Sequence, residues 1–137
     1  MRAFIDTSSL VKRYILEANS EQLDLLLEGI TEIIVSPVYL LEIHSALERR
    51  LQENSAIPQQ IARIRREVER DYFYFGKVIW NAALEQKGIE LIQKYHLRTL
   101  DSIQLASGIV ARSDIFVTSD RKLFDIAQKE LKDVHFI

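Results

Sequence analysis

The sequence predicts an α/β fold in which a mostly parallel β-sheet carries helices on both faces. Short apolar segments rich in β-branched residues alternate along the chain with longer segments of helical periodicity. This alternation is typical of strand–helix–strand units, whose right-handed crossovers place the strands parallel. The 137 residues contain no internal repeat and no glycine-rich linker, so we expect a single domain over residues 1–137.

Five short apolar segments carry the strand prediction, and turn-forming or helix-capping residues bound them. The predicted strands are residues 2–5, 32–35, 77–80, 115–118 and 134–137. The third segment is the least regular, because it lies at the end of an aromatic region that begins at Tyr72.

Each predicted helix begins beside a residue suited to an N-cap or to the first helical position. The first helix is predicted to end at residue 16, with Thr7, Ser8 or Ser9 as its N-cap, and the last to end at residue 131, with Ser119 or Asp120 as its N-cap. The five helices between them, with these residues in parentheses, are predicted at 21–28 (Asn19 or Ser20), 37–53 (Ser36 and Pro37), 58–70 (Pro58), 82–96 (Asn81) and 100–112 (Thr99). Within 58–70, opposite charges recur at helical spacing, Arg63 with Glu67 and Arg65 with Glu69.

Composition excludes several classes of function. The chain has no cysteine, which rules out disulfides, thiolate metal sites and a cysteine nucleophile. Its longest apolar stretch, residues 33–41, is too short to span a bilayer, and the charge of Asp6 interrupts any signal-peptide core. We therefore expect a cytoplasmic protein without membrane contact. A net charge of −2 argues against nonspecific coating of nucleic acid.

Two carboxylates follow predicted strands at the carboxyl edge of the sheet, where open α/β sheets bind ligands. Asp6 comes directly after the first strand, and Asp120 follows the strand at 115–118. Each has a simpler explanation as the N-cap of the next helix. Both interpretations stay open from these residues alone.

Glu42 and Asp101 lie inside predicted helices. Glu42 falls among apolar residues in the second turn of the helix that follows Ser36, so we expect it to be partly buried. The alternative is a basic partner, Arg or Lys, from elsewhere in the fold. Asp101 lies in the first turn of its helix, where it could simply interact with the helix dipole.

Taken together, the four acidic residues predict a cation site. Two carboxylates about 5 Å apart repel by roughly 3 kcal/mol at an effective dielectric near 20, unless they are protonated or bind a cation. Oxygen ligands without His or Cys favour Mg²⁺ or Mn²⁺ over zinc. A pair of such ions can activate water and stabilise the leaving oxygen in phosphodiester hydrolysis.

Four segments in order along the chain resemble the motifs of the PIN-domain family, and within it the VapC-type ribonuclease toxins. They are residues 6–14, which begin with Asp6-Thr7-Ser8-Ser9; residues 41–49, with Glu42, Ala46, Leu47 and Arg49; residues 100–106, with Asp101, Ser102 and Gln104; and residues 116–123, with Thr118, Ser119, Asp120 and Leu123. The family's acidic positions fall on Asp6, Glu42, Asp101 and Asp120. Ser102 stands where alanine is usual in the family.

The resemblance implies a three-layer sandwich with a five-stranded parallel sheet, Mg²⁺ or Mn²⁺ at the acidic edge, and hydrolysis of RNA. It also implies a homodimer and a cognate antitoxin as partners. Thr118 occupies the family's hydroxyl position and is expected to support a water held by the metal. Thr7 and Ser8 are expected to orient Asp6, although helix capping explains at least one of them.

Several further residues have two interpretations. Lys12 and Arg13 could contact RNA phosphate or lie on a solvated helix face, and the arginines at 49, 50 and 63–70 are better explained as a solvated face. The aromatic residues 72–75 could stack on bases, but core or dimer-interface packing is the stronger interpretation. The three histidines show no metal-ligand spacing.

Two other functions compete with a nuclease. A receiver-like phosphoacceptor domain also places aspartates at the edge of a parallel sheet, but it needs an acidic pair where this chain has Asp6 and Thr7. A non-catalytic PIN-like module that binds RNA or protein would be favoured by loss of an acidic position. All four acidic positions are present.

Overall fold

All 137 residues are described by a computed structural model, in which five strands form one parallel sheet. The strands are β1 (Arg2–Ile5), β2 (Glu32–Val35), β3 (Gly76–Lys77), β4 (Ile115–Thr118) and β5 (Val134–Phe136). Their order across the sheet is β3-β2-β1-β4-β5, and every neighbouring pair is parallel. The predicted α/β class and the five-stranded parallel sheet are confirmed.

Seven α-helices cover the two faces of the sheet. They are α1 (Thr7–Leu10), α2 (Ser20–Leu27), α3 (Tyr39–Gln52), α4 (Pro58–Tyr74), α5 (Ala82–Tyr95), α6 (Thr99–Ala111) and α7 (Arg121–Glu130). Buried apolar residues of α1–α4 share one core cluster with Ile5, whereas those of α5–α7 share a second cluster with Phe4. Because successive strand residues face opposite sides, β1 contributes to both cores, and the molecule is a three-layer sandwich.

The strand order reverses beside β1. From β1 the chain moves outward through β2 to β3, then returns to pair β4 against the other side of β1, with Ile5 in register with Val117. The carboxyl ends of β1 and β4 therefore lie side by side at the switch point, which is where open α/β sheets form their ligand-binding crevice.

Helix α6 lies close to the sheet because of Gly108. A Cβ atom at this position would overlap the ring of Phe116, which stacks on Phe4 with ring centroids 5.3 Å apart. This close approach sets the distance between the sheet and the helix that carries Asp101.

The predicted start of α3 is wrong. Ser36 does not cap the helix, because its carbonyl first accepts the N–H of Tyr39 in a turn (3.2 Å), and the helix begins at Tyr39. Pro37 lies in that turn, and the Ser36 hydroxyl is buried without a partner. Glu42 consequently lies in the first turn of α3, not the second.

The predicted third strand is displaced towards the N-terminus. Pairing of β3 begins at Gly76 opposite Ile34 and ends at Lys77 opposite Val35, the last residue of β2, after which the Val78 N–H makes one more bond to Val35. Residues 79 and 80 have no strand left to pair with. A Cβ at Gly76 would lie 2.7 Å from the Glu32 carboxylate and 3.2 Å from the Ile34 side chain, so glycine lets β3 pair with β2 without displacing these side chains.

Other boundaries differ by smaller amounts. The first helix ends at Leu10 and continues as a 3₁₀ helix, Val11–Arg13, instead of running to residue 16. Helix α4 extends to Tyr74 instead of residue 70. Thr99 is the first residue of α6 and makes no N-cap hydrogen bond; Arg98 holds the cap position.

One of the two predicted charge pairs of α4 is present. Arg63 lies 3.9 Å from Glu67, but Arg65 turns away from Glu69 and bonds Glu48 of α3 at 3.1 Å. The helix thus uses Arg65 to hold its neighbour α3. None of the seven helices combines the length and the apolar character needed to cross a bilayer.

Candidate active site

Asp6 is held rigidly at the end of β1. Its N–H continues the sheet by donating to the carbonyl of Val117 (2.9 Å). Its Oδ2 accepts hydrogen bonds from the hydroxyls of Ser8 and Thr118, each at 2.7 Å. The side chain is only 5% exposed and makes no helix-capping hydrogen bond. The capping explanation therefore does not account for Asp6.

Burial raises the pKa of Asp6 above its ordinary value, and the charge of Asp120 acts in the same direction. The hydrogen bonds from Ser8 and Thr118 lower this pKa and oppose the effect of burial. A carboxyl placed in this way lacks a positive partner.

Asp120 has a different local role. Its Oδ1 accepts the N–H of Leu123 at 3.0 Å, so it caps α7 as the simpler interpretation predicts. Its own N–H donates to the Thr118 hydroxyl at 3.1 Å. Thr118 therefore accepts from Asp120 and donates to Asp6, which ties the two aspartates together.

Glu42 points from α3 towards the same edge. It is half-buried, as predicted, and its Oε1 accepts hydrogen bonds from the Thr7 hydroxyl (3.2 Å) and the Gln104 amide. No Lys or Arg forms an ion pair with Glu42, so the alternative of a basic partner is wrong. Burial, and then the charges of Asp6 and Asp101, raise its pKa.

Asp101 lies in the first turn of α6. Its nearest basic group is Arg98, whose Nε is 4.0 Å away on a side chain 86% exposed. Burial, and then the charge of Asp120, raise the pKa of Asp101, whereas Arg98 and Lys122 oppose the rise. The four acidic residues thus influence one another electrostatically across four separate elements.

All four carboxyl groups line one open cavity of about 490 Å³, called here the acidic cavity. Its lining residues are Asp6, Thr7, Ser8, Val11, Glu17, Glu42, Ala46, Arg49, Arg50, Glu53, Asp101, Gln104 and Asp120. The sequence-predicted supporting residues Thr7 and Ser8 are among them. Ser8 contacts Asp6 as expected, but Thr7 bonds Glu42.

The donor set suits a hard divalent cation. Every one of the four carboxyl groups keeps an oxygen that accepts no side-chain hydrogen bond. Burial raises the pKa of Asp6, Glu42 and Asp101, and of these three only Asp101 has a basic group, Arg98, within 4.0 Å. Oxygen-only donors of this kind favour Mg²⁺ or Mn²⁺. No three His, Cys, Asp or Glu side chains are close enough together to form a ready-made metal cluster.

The basic residues near the cavity are mostly engaged. Lys12 bonds Glu17 (3.3 Å) and the carbonyl of Ala18 (2.9 Å), and Arg13 pairs with Asp71 (3.2 Å). Neither of these two side chains lines the acidic cavity. Arg50 also pairs with Glu17, whereas Arg49 lines the cavity, is exposed and forms no ion pair.

The aromatic stretch divides between the core and the surface. Phe75 is buried and Tyr72 half-buried, and both pack against Tyr39 with ring centroids 5.9 Å apart. Phe73 and Tyr74 are each 77% exposed. Core packing therefore explains the two ends of the stretch but not its middle.

Gln104 belongs to one of the sequence motifs, but no role was predicted for it. The structure buries its side chain beside Glu42 and Thr7. One signal was available: Gln104 lies three residues after Asp101, which puts both on the same face of a helix.

Several solved structures are similar to this chain over most of its length. A toxin–antitoxin complex from Klebsiella pneumoniae has a similar fold, with 20% identity, a TM-score of 0.64 and coverage of 89% of each chain. VapC20 from Mycobacterium tuberculosis, a toxin that cleaves the sarcin–ricin loop, is 16% identical, with a TM-score of 0.67 over 88% of this chain and 92% of that one.

VapBC2 from Rickettsia felis, solved with a DNA fragment from its promoter, is similar over the full length. It shares 14% identity and a TM-score of 0.68, with 100% of this chain and 99% of that chain covered. A comparison with curated protein sequences finds no match. At these identities the structural matches establish the fold.

The sequence itself establishes the family. Residues 3–129 match the PIN domain. This range includes all four acidic residues of the cavity, and so the chain belongs to the PIN-domain family.

Proposed function

We propose that this PIN domain is a metal-dependent endoribonuclease that hydrolyses RNA phosphodiester bonds and serves as the toxin of a toxin–antitoxin pair. The observation that carries the proposal is the convergence of four carboxyl groups from four elements on the acidic cavity, with no basic partner for the two most buried, Asp6 and Glu42. The whole chain, residues 1–137, is proposed to act as one domain.

In this proposal Asp6, Glu42, Asp101 and Asp120 hold Mg²⁺ or Mn²⁺ through their free oxygens. A divalent cation bound there supplies a Lewis acid that activates water and stabilises the leaving oxygen of the cut phosphodiester. The repulsion between unpaired carboxylates supports this assignment, because a cation removes it.

The surrounding hydroxyls keep the carboxylates in place. Ser8 and Thr118 each donate to one oxygen of Asp6, which leaves the other oxygen for a ligand. Thr118 also accepts from the backbone of Asp120, so a single hydroxyl sets the spacing of two proposed ligands. Preorganisation of this kind lowers the cost of assembling the charged site.

The substrate strand is proposed to approach over α3. Arg49 is the exposed, unpaired arginine of the acidic cavity and can contact phosphate without breaking an ion pair. Lys12 and Arg13 stay candidates for RNA contact, but each would first have to leave its pairing with Glu17 or Asp71. The positive charge of Arg49 beside the acidic centre supports recruitment of a polyanion by an acidic protein.

The proposed protein partners are a cognate antitoxin and a second copy of the chain. Two of the similar structures are a toxin–antitoxin complex and VapBC2, which supports an antitoxin for this protein. The exposed aromatic pair Phe73 and Tyr74 supports a homodimer that covers it. Light scattering at micromolar concentration should report twice the mass of the chain; a monomer would reject the dimer.

One observation favours a second candidate, a non-catalytic module that binds RNA or protein. The carboxyl groups line the cavity without forming a ready-made cluster of three. Such a module would bind RNA through Arg49 and would leave it uncut.

The deciding experiment measures cleavage of several structured RNAs, including tRNA and a sarcin–ricin loop fragment, in Mg²⁺, in Mn²⁺ and after chelation. We expect at least one RNA to be cut only when metal is present, with calorimetry showing metal binding. Binding of RNA without cleavage in either metal would favour the module, and the absence of metal binding would reject the nuclease.

A further inference from the structure

We infer that Gln104 is a positioning residue for Glu42, whose side-chain amide fixes one carboxylate oxygen and leaves the other available to a cation. The inference rests on the proposed metal-dependent function and goes one step beyond it. Gln104 lies on α6, one turn after Asp101, and is 2% exposed. A fully buried amide on the wall of a charged cavity is not explained by apolar packing.

The contacts of Gln104 form a closed set with two other residues. Its Nε2 donates to Glu42 Oε1 and lies 3.4 Å from the Thr7 hydroxyl, which itself donates to the same Glu42 oxygen at 3.2 Å. Glu42 Oε2 accepts no hydrogen bond from the protein. Two donors therefore converge on one oxygen and select the other for a ligand.

This contact also bridges the two helical layers. Glu42 belongs to α3, which packs on one face of the sheet, and Gln104 belongs to α6 on the opposite face. Their hydrogen bond is the one that joins α3 to α6. Because α6 also carries Asp101, the hydrogen bond of Gln104 holds the Glu42 carboxylate in a fixed position relative to Asp101 across the cavity.

The orientation of the amide comes at an energetic cost. The Gln104 Oε1 is buried without a hydrogen-bond partner. Turning the amide over would give Oε1 a new environment but would place it against the Glu42 carboxylate, where two acceptors repel. A buried unpaired oxygen is unfavourable, and such exceptions call for a reason. The reason here is that this orientation of the amide holds the Glu42 carboxylate in place.

The alternative is a purely structural tie, in which Gln104 only holds α3 near α6. That role and positioning of Glu42 differ in what they do to metal binding. If Gln104 acts through Glu42, its loss matters only while Glu42 is a carboxylate that binds the cation. If it acts on the fold, its loss affects metal binding equally whatever residue stands at 42.

The test is a double-mutant cycle of Mn²⁺ affinity, measured by calorimetry on the intact chain. Gln104→Met keeps the length of the side chain and removes the donor, and Glu42→Gln removes the carboxylate. We expect Gln104→Met to weaken Mn²⁺ binding by about 10- to 100-fold, as loss of a residue that orients a metal ligand does. In the Glu42→Gln background the same change should have almost no effect.

Ser107→Ala is the matched control. Ser107 lies one turn further along α6, is fully buried, and carries an unpaired hydroxyl, but it does not line the acidic cavity. Its loss should leave Mn²⁺ affinity unchanged. A second readout is RNA cleavage, which Gln104→Met should impair at low Mn²⁺ and recover at saturating Mn²⁺.

The outcomes separate the inference from the function it rests on. If the wild-type protein binds no Mn²⁺, the proposed function fails. If the wild type binds Mn²⁺ but Gln104→Met binds equally well, or loses the same factor in both backgrounds, the positioning role is rejected. Gln104→Leu enters the same cycle if circular dichroism shows that Gln104→Met does not fold.

Discussion

Asp6 and Asp120 follow neighbouring parallel strands at the same edge of the sheet, yet their surroundings differ. Asp6 is buried and receives two hydroxyl donors, and although it holds the N-cap position of α1, its side chain makes no capping hydrogen bond. Asp120 is more exposed, and one of its oxygens accepts the N–H of Leu123 at the N-terminus of α7. Both residues show the same sequence pattern, an aspartate after a strand. Helix capping explains the position of Asp120 but not that of Asp6.

The difference shows that the charge of the side chain matters more at Asp6 than at Asp120. Capping stabilises a helix and would be satisfied equally by asparagine. Burial of a carboxyl without a positive partner destabilises the fold unless something else compensates. The deep half of the cavity, around Asp6, is thus expected to be more sensitive to change than the shallow half, around Asp101 and Asp120.

The largest expected effect is on catalysis by Asp6→Asn. This change keeps the size of the side chain and removes its charge, so we expect cleavage of RNA to fall by on the order of 10³-fold, as loss of a group that stabilises the transition state does. Asp120→Asn should reduce cleavage less, because the cap persists and only one free oxygen changes. The rate of cleavage of the best RNA substrate measures both.

Asp24→Asn provides the control, because Asp24 is exposed on α2 and does not line the acidic cavity. Its rate should match that of the wild type. Equal rates for Asp6→Asn and the control, with both proteins folded, would show that the carboxyl of Asp6 has no part in cleavage. The contrast between the two halves would then be structural only.

The sequence placed Asp6 and Asp120 at one edge of the sheet because both follow strands. Once β1 and β4 were assigned correctly, parallel topology placed Asp6 and Asp120 together, and the structure confirms both strands. The partial burial of Glu42 also followed from its apolar neighbours. These features are local, or depend on a topology with few alternatives.

The features that the sequence did not reveal depend on distant partners. The shift of β3 follows from where β2 ends, because pairing stops opposite Val35, and the end of β2 is not local to residues 77–80. The pairing of Thr7 with Glu42 instead of Asp6 is likewise set by the approach of α3. Tertiary contacts of this kind override local capping preferences.

A smaller effect is expected from Thr118→Val. The change removes the hydroxyl that links Asp6 to Asp120, while the buried β-branched side chain keeps its shape. We expect metal affinity and cleavage to fall by about tenfold, the range for residues that orient metal ligands. Calorimetry with Mn²⁺ measures this fall.

Ser119→Ala is its control, because the Ser119 hydroxyl bonds Ser9 (2.8 Å) and touches none of the four carboxylates. Metal affinity should be unchanged there. If Thr118→Val also bound Mn²⁺ like the wild type, the deep half of the cavity would owe its geometry to Ser8 alone.

The next effect is on stability as a function of pH without metal. The pKa values of Asp6, Glu42 and Asp101 are raised above their ordinary values of 3.8, 4.5 and 3.8. Between the ordinary and the raised values the folded protein binds more protons than the unfolded chain, so stability falls as pH rises through this window. Thermal melts with a chelator should show a lower melting temperature at neutral pH than near pH 4.5.

Two comparisons sharpen this prediction. Mg²⁺ should raise the melting temperature more at neutral than at acid pH, because only the ionised carboxylates bind it. Asp6→Asn should flatten the fall with pH, since it removes a titrating group from the deep half. A metal-free melting temperature that rises steadily from pH 4.5 to 7 would contradict the repulsion inferred for this cavity.

The smallest effect is expected from Arg98→Ala in the shallow half. Arg98 is 86% exposed, and its Nε lies 4.0 Å from Asp101, so solvent screens most of the attraction between them. Its loss should change the free energy of unfolding by less than about 0.5 kcal/mol. Because Arg98 also repels a bound cation, Mn²⁺ affinity should rise by no more than about threefold at low salt, and the gain should vanish at high salt. A change of tenfold or more in either direction would mean that the shallow half of the cavity is as tightly coupled as the deep half, and the contrast between Asp6 and Asp120 would not extend to their neighbours.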